Sequence, residues 1–300
     1  MHKGVVIDKV KDYEIINCRS CGFIHINPLP SKEELLRIYK EEYYSNEKPQ
    51  FIERQIEDLE WWNIVFDDRY DFFEENLPKS NRRILDIGCG PGFFLKRGKE
   101  RSWQGIGVEP STQAAEYAQS LGVKVTNCFL DEFDIEENMG KFDVIHLSEV
   151  LEHVPDPVNI CKNSYNLLSD GGIICAVVPN DYNPFQKALR EKLAFEPYWL
   201  APPHHINYFT FDSLQTLLER VGFKVLKKDA MFPIDIFLLM GSNYIGNDKI
   251  GRDCHAKRKN FEIKLFRFGM NDFKKELYEF FACRNIGREI VLYAKKGNNN

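Results

Sequence analysis

The sequence lacks any apolar run long enough to cross a membrane. Its longest apolar stretch, around residues 236–240, is far shorter than the ~20 residues that a spanning helix needs. The start of the chain also lacks the pattern of a signal peptide, because Met1-His2-Lys3 leads into residues of mixed polarity. We therefore expect a cytoplasmic protein without a membrane span.

No charge of one sign dominates the composition. The chain has 40 Lys and Arg against 45 Asp and Glu, a formal net charge of −5. Nucleic-acid binding requires a basic face, so a nucleic-acid partner is not expected. The apolar fraction of 43% is ordinary for a globular protein, and 300 residues suffice for one large domain or two small ones.

The eight cysteines do not form the pattern of a disulfide framework. They are scattered, and Cys89, Cys161 and Cys175 fall inside predicted buried elements, which favours reduced thiols in the cytosol.

One cysteine pair, Cys18-x-x-Cys21, is half of a zinc-ribbon signature. Tetrahedral zinc needs four ligands, and the seventeen residues before Cys18 contain no further cysteine. His2 and His25 would complete such a site only by coincidence. The sequence therefore predicts no metal and a degenerate zinc-knuckle-like hairpin.

What the sequence does contain is a glycine-rich turn directly after an apolar strand. The strand residues Ile84 to Ile87 include a carboxylate, Asp86, and lead into Gly88, Gly90 and Gly92. Glycine adopts positive φ and lets a ligand approach the backbone closely. A strand, a glycine-rich turn and a helix N-terminus form the nucleotide crevice of a doubly wound α/β sheet.

The spacing of the glycines narrows the choice of nucleotide. A dinucleotide fingerprint G-x-G-x-x-G would place its third glycine at position 93, where this chain has Phe93. Asp86 would repel a pyrophosphate but suits a cationic ligand. Here the chain resembles the class I S-adenosylmethionine-dependent methyltransferases, whose first motif is D/E-x-G-x-G-x-G. The resemblance implies S-adenosyl-L-methionine as cofactor, S-adenosyl-L-homocysteine as product, and cofactor contacts from Asp86, the three glycines and Phe93.

The order of the predicted elements agrees with an α/β fold. Strands predicted at residues 83–87, 105–108, 123–126, 142–147, 173–178, 223–227 and 287–296 alternate with helices, which indicates a mostly parallel sheet with helices on both faces. The resemblance implies a Rossmann-like seven-stranded sheet with an antiparallel last strand, plus an N-terminal helical cap and a C-terminal lid insertion.

We predict four segments along the chain. They are an N-terminal cap at residues 1–80, a cofactor-binding core at 81–230, an inserted lid or dimerisation arm at 231–285, and the last strand with its tail at 286–300. Within the cap, Ser31 to Glu34 reads as a capping box ahead of a helix that begins at Leu35.

Further cofactor contacts are expected after the second and third strands of the sheet. Glu109 ends the second strand, where an acidic side chain can accept both ribose hydroxyls of S-adenosylmethionine or of NAD, and Pro110 shapes the turn. By the resemblance, the loop after the third strand holds adenine. Phe129 or Leu130 would pack on the ring, and Asp131 would accept a hydrogen bond from the exocyclic amine.

The tract after the fourth strand carries candidate catalytic residues. It contains Leu-Glu-His-Val-Pro-Asp-Pro at residues 151–157 and resembles a subgroup of bacterial small-molecule methyltransferases. Residues past the carboxyl ends of strands line the ligand crevice, so Ser148, Glu149 and His153 are expected there. Imidazole suits proton transfer near neutral pH. His153 is therefore a candidate base, although a role in fixing its loop is equally open.

A second histidine tract, His204-His205, precedes the helix after the fifth strand. In the resembling subgroup a histidine stands at the position of His205. His205 is a second candidate for the catalytic base, with anchoring of its loop as the alternative, and Glu149 is the third candidate.

The resemblance predicts a methyltransferase that acts on a small molecule. The expected acceptor is a hydroxyl of a sugar or secondary metabolite in surface-glycan or natural-product biosynthesis, with a nucleotide sugar or a glycan as the candidate substrate and a homodimer left open. Two alternatives remain: a catalytically silent cofactor-binding subunit, and an NAD-dependent sugar oxidoreductase.

Overall fold

The computed structural model describes residues 2–31, 34 and 50–297, which form two sheets and the helices around them. The amide of Glu34 donates to Ser31 Oγ over 3.1 Å, as the predicted capping box requires. The helix predicted to begin at Leu35 lies outside the described residues. The strands are β1 (Gly4–Val10), β2 (Tyr13–Cys18), β3 (Ile24–Asn27), β4 (Arg83–Ile87), β5 (Gln104–Val108), β6 (Lys124–Thr126), β7 (Phe142–Ser148), β8 (Leu168–Pro179), β9 (Asn207–Tyr208), β10 (Phe223–Ala230) and β11 (Glu289–Lys296).

The helices begin and end at residues that explain their bounds. Ser111, Asp156 and Thr210 each accept a backbone N–H as N-cap, and Gly222 ends its helix in the left-handed region. The described helices are α1 (Phe51–Glu57), α2 (Leu59–Asn76), α3 (Phe93–Glu100), α4 (Thr112–Ser120), α5 (Ile135–Asn138), α6 (Pro157–Leu167), α7 (Pro184–Leu193), α8 (Phe211–Val221), α9 (Ile236–Leu239), α10 (Asp248–Arg267) and α11 (Asn271–Cys283).

The larger sheet has the order β10-β11-β8-β7-β4-β5-β6. Strands β8, β7, β4, β5 and β6 run parallel, whereas β11 lies antiparallel between β8 and β10. This confirms the predicted Rossmann-like sheet of seven strands with an antiparallel last strand. β8 begins earlier than the predicted residue 173, because the buried Leu168 already pairs with Phe142 of β7.

Helix α2 packs into the core of the large sheet. Its buried Trp61, Tyr70 and Phe73 belong to the same hydrophobic cluster as Val144 and Val291 of the sheet. The predicted boundary between cap and core at residue 80 therefore cuts through one packed unit, and the division into segments stays a prediction.

Helices α10 and α11 are fixed against α2 by buried hydrogen bonds. Glu262 accepts from Trp61 Nε1 over 2.8 Å and from the Tyr278 hydroxyl over 2.9 Å, and Lys274 pairs with Asp68. A lid or dimerisation role for this segment stays a prediction. In the described part of the chain, no helix combines the length and the apolarity needed to cross a membrane.

The small sheet joins the start of the chain to the segment that follows β8. Its order is β1-β2-β3-β9, and His25 of β3 stands opposite Asn207 of β9. The N-terminal hairpin therefore supports a strand that comes directly after His204 and His205.

Candidate active site

The glycine loop after β4 has the backbone that the sequence predicts. Gly88, Gly90 and Gly92 have φ of 72°, 51° and 78°, a region that side chains disfavour. A Cβ at Gly88 would lie 2.6 Å from Val150 Cγ2, and one at Gly92 would lie 2.7 Å from Ala118 Cβ. The loop is therefore close-packed against the tract after β7 at Gly88 and against α4 at Gly92.

Glu109 lies at the end of β5 and is held by two backbone donors. Its Oε2 accepts from the Gly90 N–H over 2.9 Å and its Oε1 from the Ser111 N–H over 2.8 Å. Burial raises the pKa of Glu109 to about 7, although both hydrogen bonds oppose the rise. Together with the glycine backbone, this buried carboxylate fits the ribose of a nucleoside cofactor.

The loop predicted to hold adenine is ordered by Asn127, which the sequence reasoning did not select. Its Nδ2 donates to the carbonyl of Glu109 over 2.8 Å and to that of Pro110 over 3.1 Å. Phe129 is half-buried, whereas Leu130 packs in the main core and Asp131 is exposed. The adenine contacts of these three residues stay predictions.

Asp86 belongs to a buried chain of polar groups beneath the glycine loop. Its Oδ1 lies 2.6 Å from His146 Nδ1, and His146 Nε2 lies 2.9 Å from Arg69 Nη1. Burial lowers the pKa of His146 and outweighs the opposing effect of Asp86. A neutral His146 therefore donates to Asp86 and accepts from Arg69. Direct contact between Asp86 and the cofactor stays a prediction, while its contact with His146 is part of the fold.

Two further predicted cofactor residues differ in exposure. Phe93 is 5% exposed, and its ring is tilted by 58° against that of Tyr117 with the centroids 5.8 Å apart, so it takes part in helix packing. Ser148 is half-buried at the end of β7, opposite Val177 of β8. Their contacts with a cofactor stay predictions.

The structure brings His153 and His205 together. Their ring centroids are 4.9 Å apart in an edge-to-face arrangement. His153 Nδ1 lies 2.8 Å from the carbonyl oxygen of His204, which can only accept, so Nδ1 carries the proton. The Nε2 atom of neutral His153 therefore has the lone pair that a base needs.

Glu152 is a buried member of this cluster that the sequence reasoning missed. It is 0% exposed, and its Oε1 lies 3.6 Å from His153 Nε2. Burial raises its pKa well above the usual value, and the charge of Glu149 adds to the rise. The signal was present in the Leu-Glu-His tract, since a carboxylate beside a candidate base is itself a candidate.

Glu152 should make the ligand-free fold less stable as the pH rises. When folding raises the pKa of a carboxyl, its full contribution to the free energy of unfolding is present below its ordinary pKa of 4.5. That contribution is lost as the pH rises from 4.5 through the raised pKa of the folded state. Between pH 5 and pH 8 we expect the melting temperature of the Glu152→Gln variant to fall less than that of wild type. The exposed Glu116→Gln is the matched control, and parallel curves for wild type and Glu152→Gln would contradict the expectation.

The tract that carries His153 is held in place by β9. The carbonyl of Glu152 accepts from the N–H groups of Ile206 and Asn207 over 2.7 and 3.0 Å. Asn207 Nδ2 donates to the carbonyls of Leu151 and Val154 over 2.9 and 2.7 Å. The small sheet therefore fixes the backbone on which the candidate base is carried.

Glu149, the third candidate base, is an exposed residue with a φ of 57°. Its N–H donates to the carbonyl of Val177, so the turn after β7 is tied to β8. The Glu149 side chain also hydrogen-bonds to that of Glu152, so it belongs to the same cluster.

Two groups of side chains among the described residues could hold a metal ion. One is Glu152, His153 and His205, and the other is His2, Cys18, Cys21 and His25. In each group the candidate ligand atoms all lie within 4.8 Å of one another. The second group runs against the expectation that its histidines would meet the cysteine pair only by coincidence.

Comparisons with known proteins agree with this architecture. A family model described as a methyltransferase domain matches residues 60–228. Ubiquinone biosynthesis O-methyltransferases from Albidiferax ferrireducens and Vibrio parahaemolyticus are 29% and 34% identical over 110 and 96 residues, which are 35% and 30% of this chain. The matched stretches span only 44% and 41% of those two relatives.

Solved structures show the same fold. A SAM-dependent methyltransferase from Archaeoglobus fulgidus superposes with a TM-score of 0.50 at 20% identity, covering 78% of this chain and 94% of that one. Phosphoethanolamine N-methyltransferase 2 from Haemonchus contortus, solved with S-adenosylhomocysteine, gives 0.52 at 16% identity, covering 92% of this chain and 63% of that one. Since the family match alone extends over residues 60–228 of 300, the chain belongs to the methyltransferase-domain family, with the fold and the S-adenosylmethionine cofactor of class I.

Proposed function

We propose that the protein transfers the methyl group of S-adenosylmethionine to a hydroxyl oxygen of a small molecule. The observation that carries the proposal is the fixed tautomer of His153, whose Nδ1 donates to the carbonyl of His204 and whose Nε2 is the basic nitrogen. A hydroxyl is a poor nucleophile until its proton is removed, so a base at the carboxyl edge of the sheet suits O-methylation.

Cofactor binding and proton transfer are assigned to different residues of the chain. When bound, the cofactor supplies a methyl group on a positively charged sulfur. Glu109 and the glycine loop bind the nucleoside, and His153 takes the hydroxyl proton on Nε2 as the acceptor oxygen attacks. Burial raises the pKa of Glu152 and so disfavours a negative charge beside the His153 imidazole. Alignment and exclusion of water supply much of the remaining rate increase.

Two similarities support a hydroxyl group as the methyl acceptor. The relatives named ubiquinone biosynthesis O-methyltransferases support oxygen as the methylated atom, although they match only about a third of this chain. The tract at residues 151–157 resembles the subgroup in which sugar hydroxyls are the expected acceptors. We therefore propose a hydroxyl acceptor, with a sugar and a ring phenol as the two substrate types to compare.

The test combines binding and turnover on the full chain. Calorimetry with S-adenosylmethionine, S-adenosylhomocysteine and NAD should show binding of the first two only. Mass spectrometry of reactions with nucleotide sugars and with phenols should then show a gain of one methyl group in one of the two panels. Binding of NAD alone would instead support the oxidoreductase. Cofactor binding without turnover on either panel would support the silent subunit.

A further inference from the structure

We infer that His2, Cys18, Cys21 and His25 bind one zinc ion that ties the N-terminus to the β2–β3 hairpin. The Sγ atoms of the two cysteines and one ring nitrogen of each histidine all lie within 4.8 Å of one another. Two thiolates and two imidazoles are a ligand set typical of structural zinc, and Zn–S and Zn–N bonds of about 2.0–2.3 Å place the ligands at such separations.

The hairpin between β2 and β3 has the backbone of a metal-binding turn. The N–H of Gly22 donates to the carbonyl of Cys18 over 2.9 Å, and Gly22 has a φ of 81°. The backbone of Cys21 also hydrogen-bonds to the Cys18 sulfur. The turn therefore presents both sulfurs on one side without further rearrangement.

A hydrogen bond from one ring nitrogen orients His25 so that the other nitrogen could bind a metal ion. Its Nδ1 lies 2.7 Å from the carbonyl of Ile26, so Nδ1 donates and Nε2 keeps the lone pair. His25 is 1% exposed, and among the described residues its Nε2 is a buried atom without a hydrogen-bond partner. A buried acceptor left unsatisfied costs free energy, and a metal ion at this position removes that cost.

The pairing of the strands explains why these ligands meet. His25 stands opposite Ile16, which lies two residues before Cys18 on the same strand. The side chains of His25 and Cys18 therefore project from the same face of the sheet. Gly4 stands opposite Cys18, which brings His2 to the turn. His2 Nδ1 lies 3.2 Å from Cys21 Sγ and 3.8 Å from Cys18 Sγ.

Charge balance is also satisfied. Zn²⁺ with two thiolates and two neutral imidazoles carries no net charge, so the site can be buried without an unpaired ion. The two thiol protons pass to solvent when the metal binds. Because His25 pairs with Asn207, and Asn207 holds the carbonyls of Leu151 and Val154, the metal would also stabilise the support of the candidate base.

The test measures metal content in the untagged full chain by mass spectrometry. We expect about one zinc per chain in wild type, and loss of that zinc in the variants Cys18→Ser and His25→Gln. His25→Cys should keep the metal because it restores a ligand. Cys283→Ser is the matched control, since Cys283 is an exposed free cysteine away from the site.

A second measurement reports the coordination geometry of the metal site. Cobalt exchanged into wild type should give the thiolate charge-transfer and d–d absorption bands of a tetrahedral site, and both should be missing in His25→Gln. Metal-free wild type with Cys18 and Cys21 joined in a disulfide would overturn the inference. Zinc content that is unchanged in both Cys18→Ser and His25→Gln would do so as well.

Discussion

Replacing His153 with alanine should lower kcat for O-methylation by about 10²–10⁴-fold, the range in which a positioned base contributes. The variant keeps the glycine loop and Glu109, so its affinity for S-adenosylhomocysteine should change little. The loss should therefore appear in kcat and not in cofactor binding, which separates a role in proton transfer from a role in cofactor binding. Single-turnover rates and calorimetry on the same preparations measure the two quantities.

The neighbouring histidine provides the internal comparison. His205 contacts His153 edge to face, and the bond from His153 Nδ1 to the carbonyl of His204 makes His153 Nε2 the basic nitrogen of the pair. We expect His205→Ala to lower kcat less than His153→Ala. A larger loss in His205→Ala would assign the base to that residue instead. Full activity in the double variant would show that alignment alone suffices.

The same cluster offers a second route to an activated hydroxyl. Glu152, His153 and His205 could hold a divalent cation, which would lower the pKa of a coordinated hydroxyl. If His153 is the base, turnover should persist after exhaustive chelation. Turnover is measured once the metal content of the chelated protein has been determined. Turnover that is lost with the chelator and restored by a divalent cation would replace the base with a metal ion.

The local pattern of the sequence was sufficient to predict the elements of the large sheet, whereas the antiparallel last strand was predicted from the family resemblance. Alternating strands and helices, with caps at Ser111 and Asp156 and the stop at Gly222, predicted elements that the structure confirms within a few residues. Glu109 was found for the same reason, since the end of the strand that follows a glycine loop and its helix is a fixed place in such a sheet. These features depend on neighbours close in the chain.

Contacts between distant residues could not be predicted in the same way. His146 lies within a hydrophobic strand and Arg69 within an amphipathic helix, and nothing in either segment indicates that His146 bridges Arg69 and Asp86. The four proposed zinc ligands show the same limit. His2 lies sixteen residues from Cys18 in the chain, and only the antiparallel register of β1 and β2 brings them together.

Asp86 illustrates how a motif can be placed correctly while the role of its side chain stays open. The sequence assigned the carboxylate to a cationic cofactor, and the structure shows one of its oxygens on His146. Because His146 is in turn held by Arg69, two buried polar groups set the position of the Asp86 side chain. Asp86 is thus oriented by the fold before any cofactor binds.

Replacing Glu109 with alanine should weaken binding of S-adenosylhomocysteine by about 100-fold, or about 2.7 kcal/mol. Hydrogen bonds to a charged acceptor contribute about 1.5–3 kcal/mol each, and the ribose offers two hydroxyl donors. The variant also removes the acceptor for the N–H groups of Gly90 and Ser111, which loosens the glycine loop. Exposed Glu116→Ala is the matched control and should bind as wild type does.

The pH dependence of S-adenosylhomocysteine binding tests whether the Glu109 carboxylate must be ionised to bind the ribose. Ribose hydroxyls donate, so the ionised form of Glu109 binds them, and its pKa of about 7 without ligand means that this form is lost as the pH falls. We expect the affinity for S-adenosylhomocysteine to rise from pH 6 to pH 8, with a proton released to the buffer on binding at pH 6. In Glu109→Gln both the rise and the proton release should vanish, because the amide cannot ionise. Equal affinity at pH 6 and pH 8 in wild type would mean that Glu109 is already ionised in the free protein, and that burial does not control its charge.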